Sequence, residues 1–148
     1  MKSIVALLAA VPLAAALATS AAAADDSTHT GTELVGTLDG KVEVPPGDPD
    51  GSGKFSAWVD PAKGRVCYSL STSGIDTPTM AHIHRGAAGA AGPVAVPLTA
   101  PTHDLTDTCT PVAEALAKEI IANPGQFYVN VHTKDHPAGA IRAQLQKP

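Results

Sequence analysis

The sequence lacks the features by which many enzymes and nucleic-acid-binding proteins are recognised. Its 148 residues include ten basic and fourteen acidic side chains, and these charges are scattered singly. Proteins that hold a phosphate backbone need clustered Lys and Arg, so a nucleic-acid partner is not expected. There is no Gly-rich phosphate loop and no Gly-x-Ser-x-Gly elbow, although an unmarked Ser/His/Asp triad stays open. Any chemistry must therefore be sought in other residue types.

Long apolar runs are also scarce, and the one present lies at the N-terminus. Residues 4–18 are apolar apart from Pro12, Lys2 precedes them, and three alanines at 22–24 fit the small-residue rule for signal peptidase. This pattern predicts a secretory signal peptide over residues 1–24 and export to the periplasm, cell envelope or medium. The alternative is a membrane anchor, but the run is shorter than the ~20 residues that a span requires. After cleavage no transmembrane span is expected.

Cysteine is rare, with Cys67 and Cys109 as the only two. In an exported chain a single pair indicates a disulfide, which here closes a loop of about 40 residues and contributes roughly 3–4 kcal/mol in the chain-entropy estimate. A two-thiol metal or redox site is the alternative, but the cysteines are far apart and form no Cys-x-x-Cys arrangement.

The remainder of the chain shows the two-residue alternation of β-strands. Residues 25–32 are polar and predict a flexible tail, and a single domain follows over residues 33–146. Leu34 and Leu38 share one face of a first strand, Asp39-Gly40 is a hairpin-type turn, and Val42 and Val44 are expected to continue on the far side. Further alternating runs lie near residues 55–59, 66–70, 79–84, 94–98, 127–133 and 140–145, and residues 86–92 form a flexible Gly/Ala loop.

One helix is predicted between the strand at residues 94–98 and the strand at residues 127–133. Thr110 can cap it, Pro111 suits its first turn, and Val112, Leu116 and Ile120 recur every four residues. The segment 123–125 (Asn-Pro-Gly) ends it. The expected fold class is therefore all-β, an antiparallel β-sandwich or barrel with one short helix.

Histidines supply the clearest chemical lead. His82 and His84 lie two residues apart on a predicted strand, so both side chains point to the same face. By the same alternation His132 shares a face with Tyr128 and Asn130 on a later strand. If these two strands are neighbours, three imidazoles converge, and imidazole suits copper, zinc and nickel, with copper(II) the most tightly bound.

The alternative is that these histidines are hydrogen-bonded residues of the sheet with no metal. His136 is a candidate fourth ligand or outer partner, whereas His29 in the tail and His103 in a Pro/Thr loop are interpreted as incidental. The position of His132 relative to His84 depends on strand order, which one sequence does not reveal.

Several blocks in fixed order resemble the CHRD (chordin-type) domain. They are residues 38–46 (LDGKVEVPP), 74–75 (GI), 81–86 (AHIHRG), 92–94 (GPV), 128–133 (YVNVHT) and 136–145 (HPAGAIRAQL). Ala143 departs mildly from the family pattern, which usually has Gly before the final Gln-Leu. The resemblance covers roughly residues 33–146.

This resemblance implies an immunoglobulin-like or superoxide-dismutase-like sandwich or barrel, because the family is distantly similar to copper–zinc superoxide dismutase. His82 and His84 resemble the copper-binding His-x-His strand of that enzyme, His132 resembles a third copper ligand, and Arg142 resembles its anion-guiding arginine. Residues 85–98, which directly follow His84, contain no histidine or acidic residue, so a site of this kind would hold copper without zinc.

Three functions follow as hypotheses. The first is an exported binding module that holds copper or a similar transition metal through His82, His84 and His132. The second is a non-catalytic module that meets an extracytoplasmic protein or matrix partner and holds no metal. The third is a copper-only dismutase-like enzyme in which Arg142 attracts the anion.

Overall fold

The computed structural model of the protein describes residues 29–102 and 104–148. The predicted signal peptide, the first half of the predicted tail (residues 25–28) and His103 lie outside these residues. His29, interpreted as incidental, contacts the domain: its Nε2 lies 2.9 Å from an Asp107 carboxylate oxygen and its ring packs edge-on against Trp58. None of the helices within the described residues is long and apolar enough to cross a membrane.

Eight antiparallel strands form one sheet that curls into a nearly closed barrel. The strands are β1 (Thr32–Asp39), β2 (Ser52–Asp60), β3 (Arg65–Ser73), β4 (Pro78–Arg85), β5 (Val94–Leu98), β6 (Leu105–Pro111), β7 (Phe127–Thr133) and β8 (Ile141–Gln144). Their order across the sheet is β5-β4-β7-β8-β1-β2-β3-β6. One helix, α1 (Glu114–Ala122), lies between β6 and β7. The predicted fold class, an antiparallel all-β protein with one short helix, is confirmed.

The barrel encloses a core built from one face of each strand. Leu34 and Leu38 of β1, Phe55 of β2, and Tyr68 and Leu70 of β3 are each at most 2 % exposed. The apolar residues that alternate along β4, β7 and β8 complete this cluster: Ala81, Ile83, Phe127, Val129, Val131, Ile141 and Ala143. Alternation therefore sends their polar neighbours outward, away from this core.

The two edge strands are joined by side chains, which explains why the barrel is nearly closed. Thr110 Oγ1 of β6 donates to the Pro97 carbonyl of β5 at 3.3 Å, and the Tyr68 hydroxyl accepts from the Thr99 amide at 2.8 Å. Cys67 and Cys109 face each other across β3 and β6 and form the predicted disulfide.

Two local predictions were wrong, one at the turn after β1 and one at the start of the helix. Val42 does not continue a hairpin, because Gly40–Val42 forms a 3-10 turn in which the Asp39 carboxylate accepts from the Lys41 amide. The chain then loops to β2, which begins at Ser52.

The helix begins later than its capping signals indicated. Thr110 and Pro111 belong to β6, since the Cys109 bridge and pairing with β3 carry that strand through Pro111. The helix starts at Glu114, and the Ala113 that precedes it has no capping side chain. Strand pairing thus overrode the local preference of Thr-Pro for a helix start.

Candidate metal centre

The outward faces of three adjacent strands form a continuous polar face. It consists of His82 and His84 on β4, Tyr128, Asn130 and His132 on β7, and Arg142 and Gln144 on β8. The register places His84 opposite Tyr128 and His82 opposite Asn130. Because β4 and β7 are neighbours in the sheet, the three histidines meet.

The three imidazoles lie close enough to share one ion. The ring centroids of His82 and His132 are 5.0 Å apart, those of His82 and His84 are 5.4 Å apart, and those of His84 and His132 are 6.2 Å apart. One ring nitrogen from each residue can be chosen so that all lie within 4.8 Å of one another. Three nitrogens that each lie about 2.0 Å from a tetrahedral metal ion are about 3.3 Å apart, so the longest separation would have to shorten by about 1.5 Å when an ion binds.

Backbone carbonyls orient two of these rings. His84 Nδ1 donates to the Gly92 carbonyl at 2.8 Å, and His132 Nδ1 donates to the Pro137 carbonyl at 3.0 Å. A carbonyl can only accept, so each Nδ1 carries the proton and each Nε2 keeps its lone pair. His132 Nε2 then accepts from His82 Nδ1 at 3.1 Å. His84 Nε2 is buried and has no hydrogen-bond partner among the described residues, which suits a metal ligand.

The surroundings lower the pKa of His82 and His132 and so favour the neutral imidazoles that metal binding requires. Burial lowers the pKa of His82, and the nearby charges of protonated His132 and His84 lower it further. Burial also lowers the pKa of His132, although the hydrogen bond to the Pro137 carbonyl acts in the opposite direction. His84 and His132 are only 8 % and 6 % exposed, while His82 is half-buried and gives access to the site.

The loop formed by residues 86–92 covers the part of the polar face that lies on β7 and β8. In the segment 86–92, Gly86 and Ala87 offer carbonyls to Gln144 Nε2 at 2.8 Å and Arg142 Nη2 at 3.1 Å. The Gly92 amide donates to the Tyr128 hydroxyl at 3.2 Å. This Gly/Ala segment, expected to be a flexible loop, is thus hydrogen-bonded to both strands beneath it. β7 is consequently buried on both of its faces.

A buried stack of three side chains extends from the histidines to β8. The His84 ring lies parallel to the Tyr128 ring, with centroids 4.8 Å apart, and the Arg142 guanidinium carbon is 3.5 Å from the centroid of the Tyr128 ring. Arg142 is only 2 % exposed. The residue predicted to guide an anion therefore lies beneath the covering loop, one ring away from His84.

A buried carboxylate stands next to this stack. Burial raises the pKa of Glu43, and the Val44 amide, the Asn130 side chain and the Arg142 charge offset this effect only in part. Besides His84 Nε2, the buried side-chain atoms without a partner in the described part of the chain are Glu43 Oε1, Asn130 Oδ1 and Arg142 Nη1. All four belong to the polar face or to the segment packed against it.

His136, the candidate fourth ligand, is not part of the three-histidine group. Its Nε2 lies 3.8 Å from an Asp48 carboxylate oxygen, and the next residue, Pro137, provides the carbonyl that accepts from His132. Two features of the site carried no sequence signal: the carbonyl partners of the rings, and Glu43, which lies in a segment predicted as strand.

Residues 34–145 match the CHRD domain family. The chain belongs to this family. The match begins with the inward-facing Leu34 of β1 and ends one residue after β8, so it includes every strand and all three histidines. Neither the curated proteins nor the solved structures include a match to the chain.

Proposed function

We propose that this CHRD-domain protein is an exported binding module that holds a transition-metal ion, copper or a similar ion, through His82, His84 and His132. The observation that carries the proposal is the convergence of three imidazoles whose ligand atoms lie within 4.8 Å of one another. An all-imidazole set favours copper, zinc or nickel, and the affinity order places copper(II) highest.

The arrangement of partners supports a ligand role over a merely structural one. A histidine that serves only the sheet normally satisfies both ring nitrogens when buried. His84 satisfies Nδ1 through the Gly92 carbonyl and leaves its buried Nε2 without a hydrogen-bond partner in the described part of the chain. Carbonyl contacts of this kind fix the tautomer of metal-binding histidines in general.

Export is supported by the Cys67–Cys109 bridge, because disulfides persist in oxidising compartments. Nothing in the metal chemistry depends on this bridge, which joins β3 and β6, whereas the histidines lie on β4 and β7.

The test is a metal titration of chelator-stripped protein. Wild type is titrated with copper(II) by calorimetry and EPR, beside a His82→Ala/His84→Ala variant and a His29→Ala control, which removes an imidazole that contacts Trp58 and not the site. We expect one equivalent with a nitrogen-rich copper(II) signal in wild type and control, and its loss in the double variant.

Equal and weak binding by all three proteins would overturn the proposal and leave a module that binds a protein or matrix partner without metal. A His136→Ala variant belongs in the same series and tests whether this residue adds a ligand. If copper binds as expected, superoxide consumption by the loaded protein tests the dismutase-like hypothesis.

A further inference from the structure

Met80 occupies the position directly opposite His132 on the same polar face. Along β4, Met80, His82 and His84 alternate with the inward-facing Ala81 and Ile83, so all three point outward. The sheet register pairs Met80 with His132, and directly opposed residues have Cβ atoms about 4.5–5.5 Å apart. The thioether is therefore within side-chain reach of two of the imidazoles.

Packing in the core does not explain why a methionine occupies position 80, because its side chain is largely exposed. It is 47 % exposed, one of three large apolar side chains exposed in the described part of the chain, with Val42 and Val94. Of these three, Met80 is the one whose side chain carries a donor atom and lies beside the histidines. It is also the only methionine besides Met1.

A thioether ligand changes which metal ion, and which oxidation state of copper, the site binds most tightly. Imidazole binds copper in both oxidation states, zinc and nickel, whereas the soft sulfur of methionine selects copper(I). A long flexible side chain at the exposed rim can approach the ion after the three rings have bound it. The partly exposed His82 and the exposed Met80 lie on the side of the site that faces solvent.

We propose that Met80 supplies a fourth, sulfur ligand, so that the site is a three-imidazole, one-thioether centre selective for copper(I). This inference rests on the proposed function, since it requires the three histidines to bind metal. It adds the oxidation state of the ion and a residue that the histidine pattern does not contain.

The test compares wild type with Met80→Leu, a substitution of similar volume that removes the sulfur. Val42→Leu, at another exposed apolar position that lies in the turn Gly40–Val42 and is not paired with a histidine, is the matched control. Copper(I) affinity is measured anaerobically by competition with a chromophoric copper(I) chelator, and cobalt(II) and copper(II) affinities are measured by direct titration. Loss of the sulfur ligand should weaken copper(I) binding by roughly tenfold or more, the scale on which tuning groups around metals act, with little change for cobalt(II).

Selenomethionine gives a direct second measurement, because only one methionine besides Met1 can be labelled. X-ray absorption at the selenium edge of the copper(I)-loaded protein should show a copper neighbour bonded to selenium. A copper(I) affinity that Met80→Leu leaves unchanged, with no copper neighbour at selenium, would overturn this inference while the histidine site stands. Absence of binding of any metal to wild type would instead overturn the proposed function.

Discussion

Gly92 is the residue at which the covering loop can be disturbed without touching a histidine. A Cβ atom added there would lie 1.7 Å from the Arg85 carbonyl oxygen, a backbone atom that cannot rotate away. Gly92→Ala must therefore displace the end of the loop. The displacement breaks the hydrogen bond from His84 Nδ1 to the Gly92 carbonyl and the one from the Gly92 amide to the Tyr128 hydroxyl.

The expected effect is a loss of ring orientation at His84. Groups that orient metal-binding histidines are typically worth 10–100-fold in affinity, so copper(II) binding should weaken by about that factor, or about 1.4–2.8 kcal/mol. Gly125→Ala is the matched control, since a Cβ at Gly125 meets no atom within 4 Å. Nitrogen-15 NMR of the metal-free protein reads the tautomer directly: His84 should carry its proton on Nδ1 in wild type and control, and exchange between nitrogens in Gly92→Ala. An unchanged tautomer and unchanged affinity would refute the reasoning.

Four further predictions concern the scaffold and its protons. Cys67→Ser/Cys109→Ser should lower the free energy of unfolding by about 4 kcal/mol in urea titrations, from the chain-entropy cost of a 42-residue separation, while metal affinity stays within twofold or so. Metal affinity should stay constant down through pH ~6.5 and fall only below the lowered pKa values of His82 and His132, where protons compete for the nitrogens, which calorimetry from pH 5 to 8 would show. The metal-free protein should lose stability as the pH falls from ~6.5, the ordinary histidine pKa, towards those lowered pKa values, since the unfolded chain takes up protons that these folded histidines resist, and pH-independent urea midpoints would contradict this. Arg142→Met should cost about 1–3 kcal/mol in thermal or urea unfolding, because the Ala87 carbonyl loses its buried donor and the Tyr128 ring loses the guanidinium packed on it, and wild-type stability would contradict that account.

Alternation along the strands was sufficient to predict which side chains point inward. In the segment that became β7, Phe127, Val129 and Val131 face the core, and Tyr128, Asn130 and His132 face outward, as the two-residue period predicts. β6 was not predicted because its residues (LTDTCTP) are mostly polar and show no alternation of apolar and polar side chains. It is a strand because of long-range pairing with β3, which no local pattern encodes.

The candidate site was predictable in its members and not in its surroundings. His-x-His on a strand indicates a shared face from sequence alone, but the approach of His132 required the adjacency of β4 and β7, strands separated by more than forty residues. The carbonyl partners at Gly92 and Pro137 come from loops, whose paths depend on the strands they cover. Met80 carried no signal because a single methionine forms no pattern; its position became visible only through the register.

The barrel separates the residues that hold the fold from those available for chemistry. Ala81 and Ile83 carry the core contacts of β4, while His82 and His84 lie on its opposite face. Substituting the outward imidazoles removes no core side chain, so the His82→Ala/His84→Ala variant should keep a cooperative unfolding transition with a slope close to that of wild type. A loss of metal binding in such a variant then reports missing ligands, whereas a reduced slope would show that the native state has become less compact or that unfolding is no longer two-state, so that the polar face on the doubly buried β7 also maintains the packing of the barrel.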